Sequence, residues 1–135
     1  MSEDVYQAII MDRARAPRHA GRPEIFDAEG EGDNPMCGDR VHLFLAGDAV
    51  FHESRGCAIM TASADLMADA VAGLSAPQIA QARAAFEALV TSGVADPSLG
   101  DLNALSGVSA YRSRIRCATL PWTALTAALE TRTHG

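Results

Sequence analysis

Residues 34–57 read NPMCGDRVHLFLAGDAVFHESRGC, a segment that begins and ends close to a cysteine. Within it Val41, Leu43 and Leu45 alternate with His42, Phe44 and Ala46, and Val50 and His52 alternate with Phe51 and Glu53. A period of two is the mark of strands with one buried face. Between the two runs stands Ala46-Gly47-Asp48-Ala49, whose Gly-Asp centre suits a two-residue hairpin turn. With Gly47 and Asp48 as the loop residues, the ladder prolonged outward sets Cys37 opposite position 58 and Asp39 opposite position 56, with Cys57 beside both. Cys37 and Asp39, two apart, share a face if the strand extends that far. The expectation is a hairpin whose open end gathers two thiols and a carboxylate.

Helical patterns surround this hairpin. Val5, Ile9 and Ile10 are at helical spacing in residues 3–16, with Ser2 as a candidate N-cap and Pro17 as the stop. Residues 18–36 are rich in Gly, Pro, Asp and Glu, and EIFDAEGEGDNP reads as an irregular edge strand. After Cys57, the residues Ile59, Ala62, Leu66, Ala70 and Val71 form a helical stripe that Gly73 ends. Ser75 then caps a helix with Pro77 in its first turn and Ile79, Ala82, Phe86, Leu89 and Val90 as its stripe, ending near Ser92-Gly93. The stretch VADPSLGDLNALSGVSAY is turn-rich, with a short helical piece around Leu99 to Leu105. The last helix is expected to start after Cys117, which keeps Pro121 in its first turn. Cys57 and Cys117 would then both sit near helix N-termini, where partial positive charge favours a thiolate.

A chain of 135 residues fits one domain, here residues 1–135, and 48% hydrophobic residues are enough for a core. The net charge of −6 and scattered arginines leave no basic field for a phosphate backbone, so nucleic acid is not an expected partner. The acidic N-terminal residues and the absence of a long apolar run argue against a signal peptide and a membrane-spanning helix. Three cysteines, an odd number, fit a reducing compartment better than a disulfide framework, and the expected location is the cytoplasm.

Cys37, Asp39, Cys57 and Cys117 together supply four donors of the kinds that zinc takes in a tetrahedron. Their spacing is not that of a paired C-x-x-C ribbon, and buried, inert thiols are the alternative. Parity places His42 on the face opposite Cys37 and Asp39, so His42 and His52 read as structural or solvent-facing. His19 and His134 have no partner identifiable in the sequence. Arg40, Arg55, Arg114 and Arg116 cluster about the cysteines, where guanidinium groups would offset the negative charge of a thiolate-rich site; Arg114 or Arg116 is favoured for a role.

NPMCGD, RGCAIMTASADLM and RIRCATLPWTAL resemble, in order, the three cysteine motifs of the iron-sulfur cluster assembly proteins of the NifU N-terminal/IscU class, over most of the chain. Within that class the sequence is most similar to the SufU type. The scaffold type carries a histidine immediately before its third cysteine, where this chain has Arg116, and the interval from Cys57 to Cys117 is long enough for an added helical segment. The resemblance implies an α+β fold: a small three-stranded antiparallel sheet packed against helices, with the metal site at one end. The third strand is expected within residues 23–33. It further implies a zinc-dependent sulfurtransferase that accepts persulfide sulfur from a SufS-like cysteine desulfurase and serves downstream cluster assembly proteins. Cys37, Asp39, Cys57 and Cys117 would hold Zn²⁺, Cys37 would take the sulfur, and Arg114 would pair with a ligand released on docking. The alternative is a scaffold carrying a transient [2Fe-2S] cluster on the same residues, with Asp39 as the fourth ligand.

Overall fold

The computed structural model describes residues 3–134, so the proposed cap at Ser2 lies outside it. The elements in order are α1 (Glu3–Arg15), β1 (Ala28–Asn34), β2 (Asp39–Ala46), β3 (Ala49–Arg55), α2 (Ala58–Val71), α3 (Ala76–Ser92), a 3-10 stretch (Pro97–Ala110) and α4 (Arg112–His134). The architecture is α+β, with one antiparallel sheet in the order β1-β2-β3. None of the described helices is long and apolar enough to cross a membrane.

The β2–β3 hairpin has the register that its turn dictates. Ala46 pairs with Ala49, Leu45 with Val50 and Arg40 with Arg55, and Gly47 supplies the positive φ of 61° at the turn. Val41, Leu43, Leu45, Val50 and His52 face the helices and are buried. On the opposite face Phe44 is covered by Phe26, ring centroids 5.0 Å apart, and by the Arg22 guanidinium.

The third strand runs from Ala28 to Asn34, at the end of the expected window and one residue beyond it. Its alternation is of small against charged residues: Ala28, Gly30, Gly32 and Asn34 point inward, and Glu29, Glu31 and Asp33 point outward. The small residues are required because α4 lies directly across β1. A Cβ on Gly30 would run into the backbone of Ala124 and Ala128, and one on Gly32 would meet Leu120 at 3.0–3.1 Å.

Helix α2 begins immediately after Cys57, which is its N-cap. Helix α3 opens on a reciprocal capping box between Ser75 and Gln78 and closes on Gly93 in the left-handed conformation. The helical piece expected around Leu99–Leu105 is part of a longer 3-10 run, kinked at Gly100. Helix α4 differs more. It starts at Arg112, five residues before Cys117, so Cys117 is in its second turn and Pro121 is inside it. The sequence RSRIRC carries no apolar stripe to announce a helix; it becomes helical by continuing the buried turn of Cys117, Ala118 and Leu120. Pro121 has no N–H to offer the Cys117 carbonyl one turn back. At the neighbouring Ala118 carbonyl, the buried Ser63 hydroxyl of α2 donates a hydrogen bond of 2.6 Å. The core closes around Trp122 of α4, stacked on Phe86 of α3 at 5.2 Å.

Candidate metal centre

Four elements converge at the open end of the hairpin. Asp39 is the first residue of β2, Cys57 caps α2, Cys117 is on α4, and Cys37 is in the turn between β1 and β2. The placement of Cys37 corrects the extended-ladder expectation. The strand does not reach it, because β1 pairs Asn34 with Asp39 and the chain between them turns back, with the N–H groups of Cys37 and Gly38 donating to the Asn34 carbonyl. Cys37 therefore approaches from the β1 side rather than from opposite position 58, and it is exposed on a projecting turn beside Met36. It still meets the same carboxylate: single donor atoms of Cys37, Asp39 and Cys117 all lie within 4.8 Å of one another.

Asp39 is fully buried and is the hub. One carboxylate oxygen accepts the backbone N–H of Cys57 at 2.9 Å, and the other receives the Cys57 thiol at 3.5 Å. Gly56 makes this approach achievable. Its φ is 138°, and a Cβ there would strike the Asp39 carboxylate. Cys57 is half-buried at the N-terminus of α2, as expected. Cys117 is not at a helix N-terminus. Burial pushes its thiol well above the ordinary range, and hydrogen bonding with Asp39 and Cys57 and their negative charge push it the same way. The helix-terminus rationale for a Cys117 thiolate is thus overturned, since without a cation this thiol keeps its proton. Cys37 and Cys117 gather on the buried Asp39 carboxylate, and Cys57 lies outside that mutually close group but touches the same carboxylate. Thiols and a carboxylate so placed are a donor set suited to a divalent, thiophilic cation.

The arginines flank the donors in sequence. Arg114 is exposed, with its guanidinium 5.7 Å from the Tyr111 ring, and Arg116 is exposed beside Cys117. Arg40 lies 3.7 Å from Asp33, and Arg55 pairs with Arg40 across the ladder.

His19, His42 and His52 are not among the donors that meet at the centre. His42 faces away from it and is bracketed by Glu29 at 2.7 Å and Glu31 at 3.4 Å. His52 is buried and structural, with Ser54 at 2.8 Å and Asp65 at 3.0 Å as partners. His19, without a partner in the sequence reading, lies 2.6 Å from Asp69.

A buried polar cluster on α2, not among the sequence expectations, lies apart from these donors. Asp65 accepts from Arg13 at 2.9 Å, from His52, and from the backbone N–H groups of Arg18 and His19. Asp69 binds Arg13 at 2.5 Å. Burial raises the Asp65 carboxyl, but its hydrogen bonds from His52, the Arg18 N–H, Arg13 and the His19 N–H outweigh this and hold it well below the carboxylate range. A signal was present: Ser63 and Asp65 interrupt an otherwise apolar helical stretch, a pattern that implies buried partners.

The family described as NifU-like N terminal domain matches residues 5–118. The chain is 37% identical over 131 residues to the zinc-dependent sulfurtransferase SufU of Bacillus subtilis, covering 91% of this chain and 88% of that protein. It is 32% identical over 133 residues to the iron-sulfur cluster assembly scaffold protein IscU of Streptococcus pyogenes, covering 93% and 83%. Among solved structures, a Fervidobacterium islandicum protein described as an iron-sulfur cluster assembly scaffold protein for the SUF system superposes with a TM-score of 0.82 at 30% identity, covering 96% of this chain and 99% of that one.

Proposed function

Because the chain belongs to the family of NifU-like N-terminal domains, we propose that it acts in iron-sulfur cluster assembly as a SufU-type, zinc-dependent sulfurtransferase, the whole chain serving as one domain that takes sulfur from a cysteine desulfurase. The observation that carries the reading is the asymmetry of the centre. Two of its donors, Asp39 and Cys117, are buried and fixed by their elements, whereas Cys37 is exposed on a turn. A closed structural site would bury all its donors; this one leaves Cys37 open to a partner, with Cys57 half-buried beside Asp39.

Cys37, Asp39, Cys57 and Cys117 would hold the zinc, which when bound keeps the thiols deprotonated and the sulfur of Cys37 masked. The Cys37 thiolate, once released, attacks the outer sulfur of the desulfurase persulfide. A sulfur-sulfur bond forms at Cys37 as the one on the desulfurase breaks, and the desulfurase leaves as a thiolate, so the exchange needs no outside oxidant or reductant. Asp39 keeps its hydrogen bond from the Cys57 N–H throughout, which anchors the half of the centre that does not move. Arg114, exposed three residues before Cys117 and resting over Tyr111, would pair with the ligand that is released on docking.

The test is alanine formation by the cognate desulfurase, with and without the zinc-loaded protein and without iron. Stimulation that Cys37→Ser abolishes is the expected outcome. A Cys37→Ser protein that stimulates normally removes Cys37 as acceptor. Absence of stimulation, together with iron-dependent cluster formation on the protein, replaces this reading with the scaffold.

A further inference from the structure

All 11 basic side chains of this acidic chain are arginines, and Arg40, Arg55, Arg112, Arg114 and Arg116 lie within a few residues of the four donors. Each is placed where local energetics disfavour it. Arg40 and Arg55 are directly opposed across the β2–β3 ladder, a like-charge pair. Arg112, Arg114 and Arg116 occupy the start of α4, where the helix dipole is positive and where no acidic residue relieves them. Arg112 and Arg116 are also four apart on one helix face, a second repulsive arrangement. Among the described residues Arg55, Arg112 and Arg116 have no ion pair; only Arg40 has one, the long contact to Asp33.

The charge of the centre does not account for the set. Three thiolates and a carboxylate on a divalent cation leave about two negative charges, and Asp33 neutralises part of a third, which leaves roughly two positive charges in excess. The surplus sits at one end of a chain of net charge −6. Two large side chains beside these segments are exposed, Met36 next to Cys37 at 86% and Tyr111 next to Arg112 at 61%. Arg40 and Arg55 project from the outer face of the hairpin at the end where Asp39 lies, and Arg112, Arg114 and Arg116 are exposed at the start of α4. Arginine, tyrosine and methionine are residue types enriched at protein interfaces.

We infer that these arginines form a docking surface for a carboxylate-lined face of a protein partner, which on the functional reading above is the cysteine desulfurase. The arginine rim steers the partner and sets its register over Cys37, while Met36 and Tyr111 supply the apolar contact. Opposed like charges become favourable when an acidic face closes over them.

The experiment measures the dissociation constant of the zinc-loaded protein for the cognate desulfurase at about 50 mM and about 300 mM salt. It is repeated with Arg40→Glu/Arg55→Glu and Arg112→Glu/Arg116→Glu, and with the corresponding Gln pairs in case a reversal impairs folding. Wild-type binding should weaken at least about tenfold with salt, and each reversal should weaken low-salt binding at least about tenfold with bound zinc unchanged. Variants that bind as the wild type does, with stimulation intact, overturn the docking surface and leave the sulfurtransferase reading standing. Variants that lose zinc overturn it as well, because the arginines then serve the charge of the centre. A mixed-sequence oligonucleotide that displaces the desulfurase as well as an acidic peptide does would reduce the rim to a general anion surface, against the proposal. A wild-type protein that neither binds nor stimulates overturns both readings.

Discussion

Gly56 shows how much of the centre rests on one residue without a functional group. Its positive φ and the lack of a Cβ let the chain turn from β3 into α2 while pressed on Asp39, so that the Cys57 N–H reaches the carboxylate. Gly56→Ala should displace Asp39 and Cys57 together. The expected result is a loss of about 1–3 kcal/mol in stability from backbone strain and a fall of at least about tenfold in zinc affinity, read by competition with a chromogenic chelator. Affinity equal to that of the wild type would mean that Asp39 does not depend on this approach. The glycine is visible in the sequence, but its reason is not, because the atom it avoids belongs to a residue on the other strand of the hairpin.

At the level of elements, the contact between β1 and α4 decides whether the centre is assembled. Helix α4 carries Cys117, and β1 leads into the turn that carries Cys37, so their packing sets the distance between two of the three thiols. The small-residue face of Ala28, Gly30 and Gly32 allows backbone-to-backbone approach. Gly30→Val should force the two apart and cost at least about 3 kcal/mol, since the added atoms meet the backbone of Ala124 and Ala128 rather than a side chain that can rotate away. Urea denaturation measures it, and a loss below about 1 kcal/mol would show that α4 can shift without penalty. The same contact explains why β1 was legible only as an irregular strand: a glycine-rich alternation lacks the apolar signature that identifies strands, although it is the pattern a closely covering helix needs.

For the molecule as a whole, the buried cluster on Asp65 ties together α1, the segment after it, β3 and α2, away from the metal centre. The Asp65 carboxyl is depressed in the folded state, so its contribution is fully present above the unfolded carboxylate pKa of about 4 and is lost as pH falls below that value. Stability should therefore decline on acidification from about pH 4 downward. Asp65→Asn should flatten that part of the profile and, by weakening the hydrogen bonds from Arg13, His52 and the two backbone N–H groups while Arg13 keeps Asp69, cost about 1–3 kcal/mol near pH 7. Denaturation curves across the acid range test this; an unaltered pH profile in the variant would assign the acid sensitivity to other carboxylates.

The β2–β3 hairpin and its register, the start of α2 at Cys57, both ends of α3 and the meeting of Cys37 with Asp39 and Cys117 were legible in the order of the residues. These features depend on interactions a few residues apart: a Gly-Asp turn, a period of two or of 3.6, a serine cap, a glycine stop. Packing between distant segments sets the rest: Cys37 enters from the β1–β2 turn, α4 begins at Arg112 with Cys117 buried in its second turn, and Arg13, His19 and His52 gather on Asp65. Each of these is set by elements far apart in the chain, whose burial and electrostatics exist only once the sheet and helices have closed on one another.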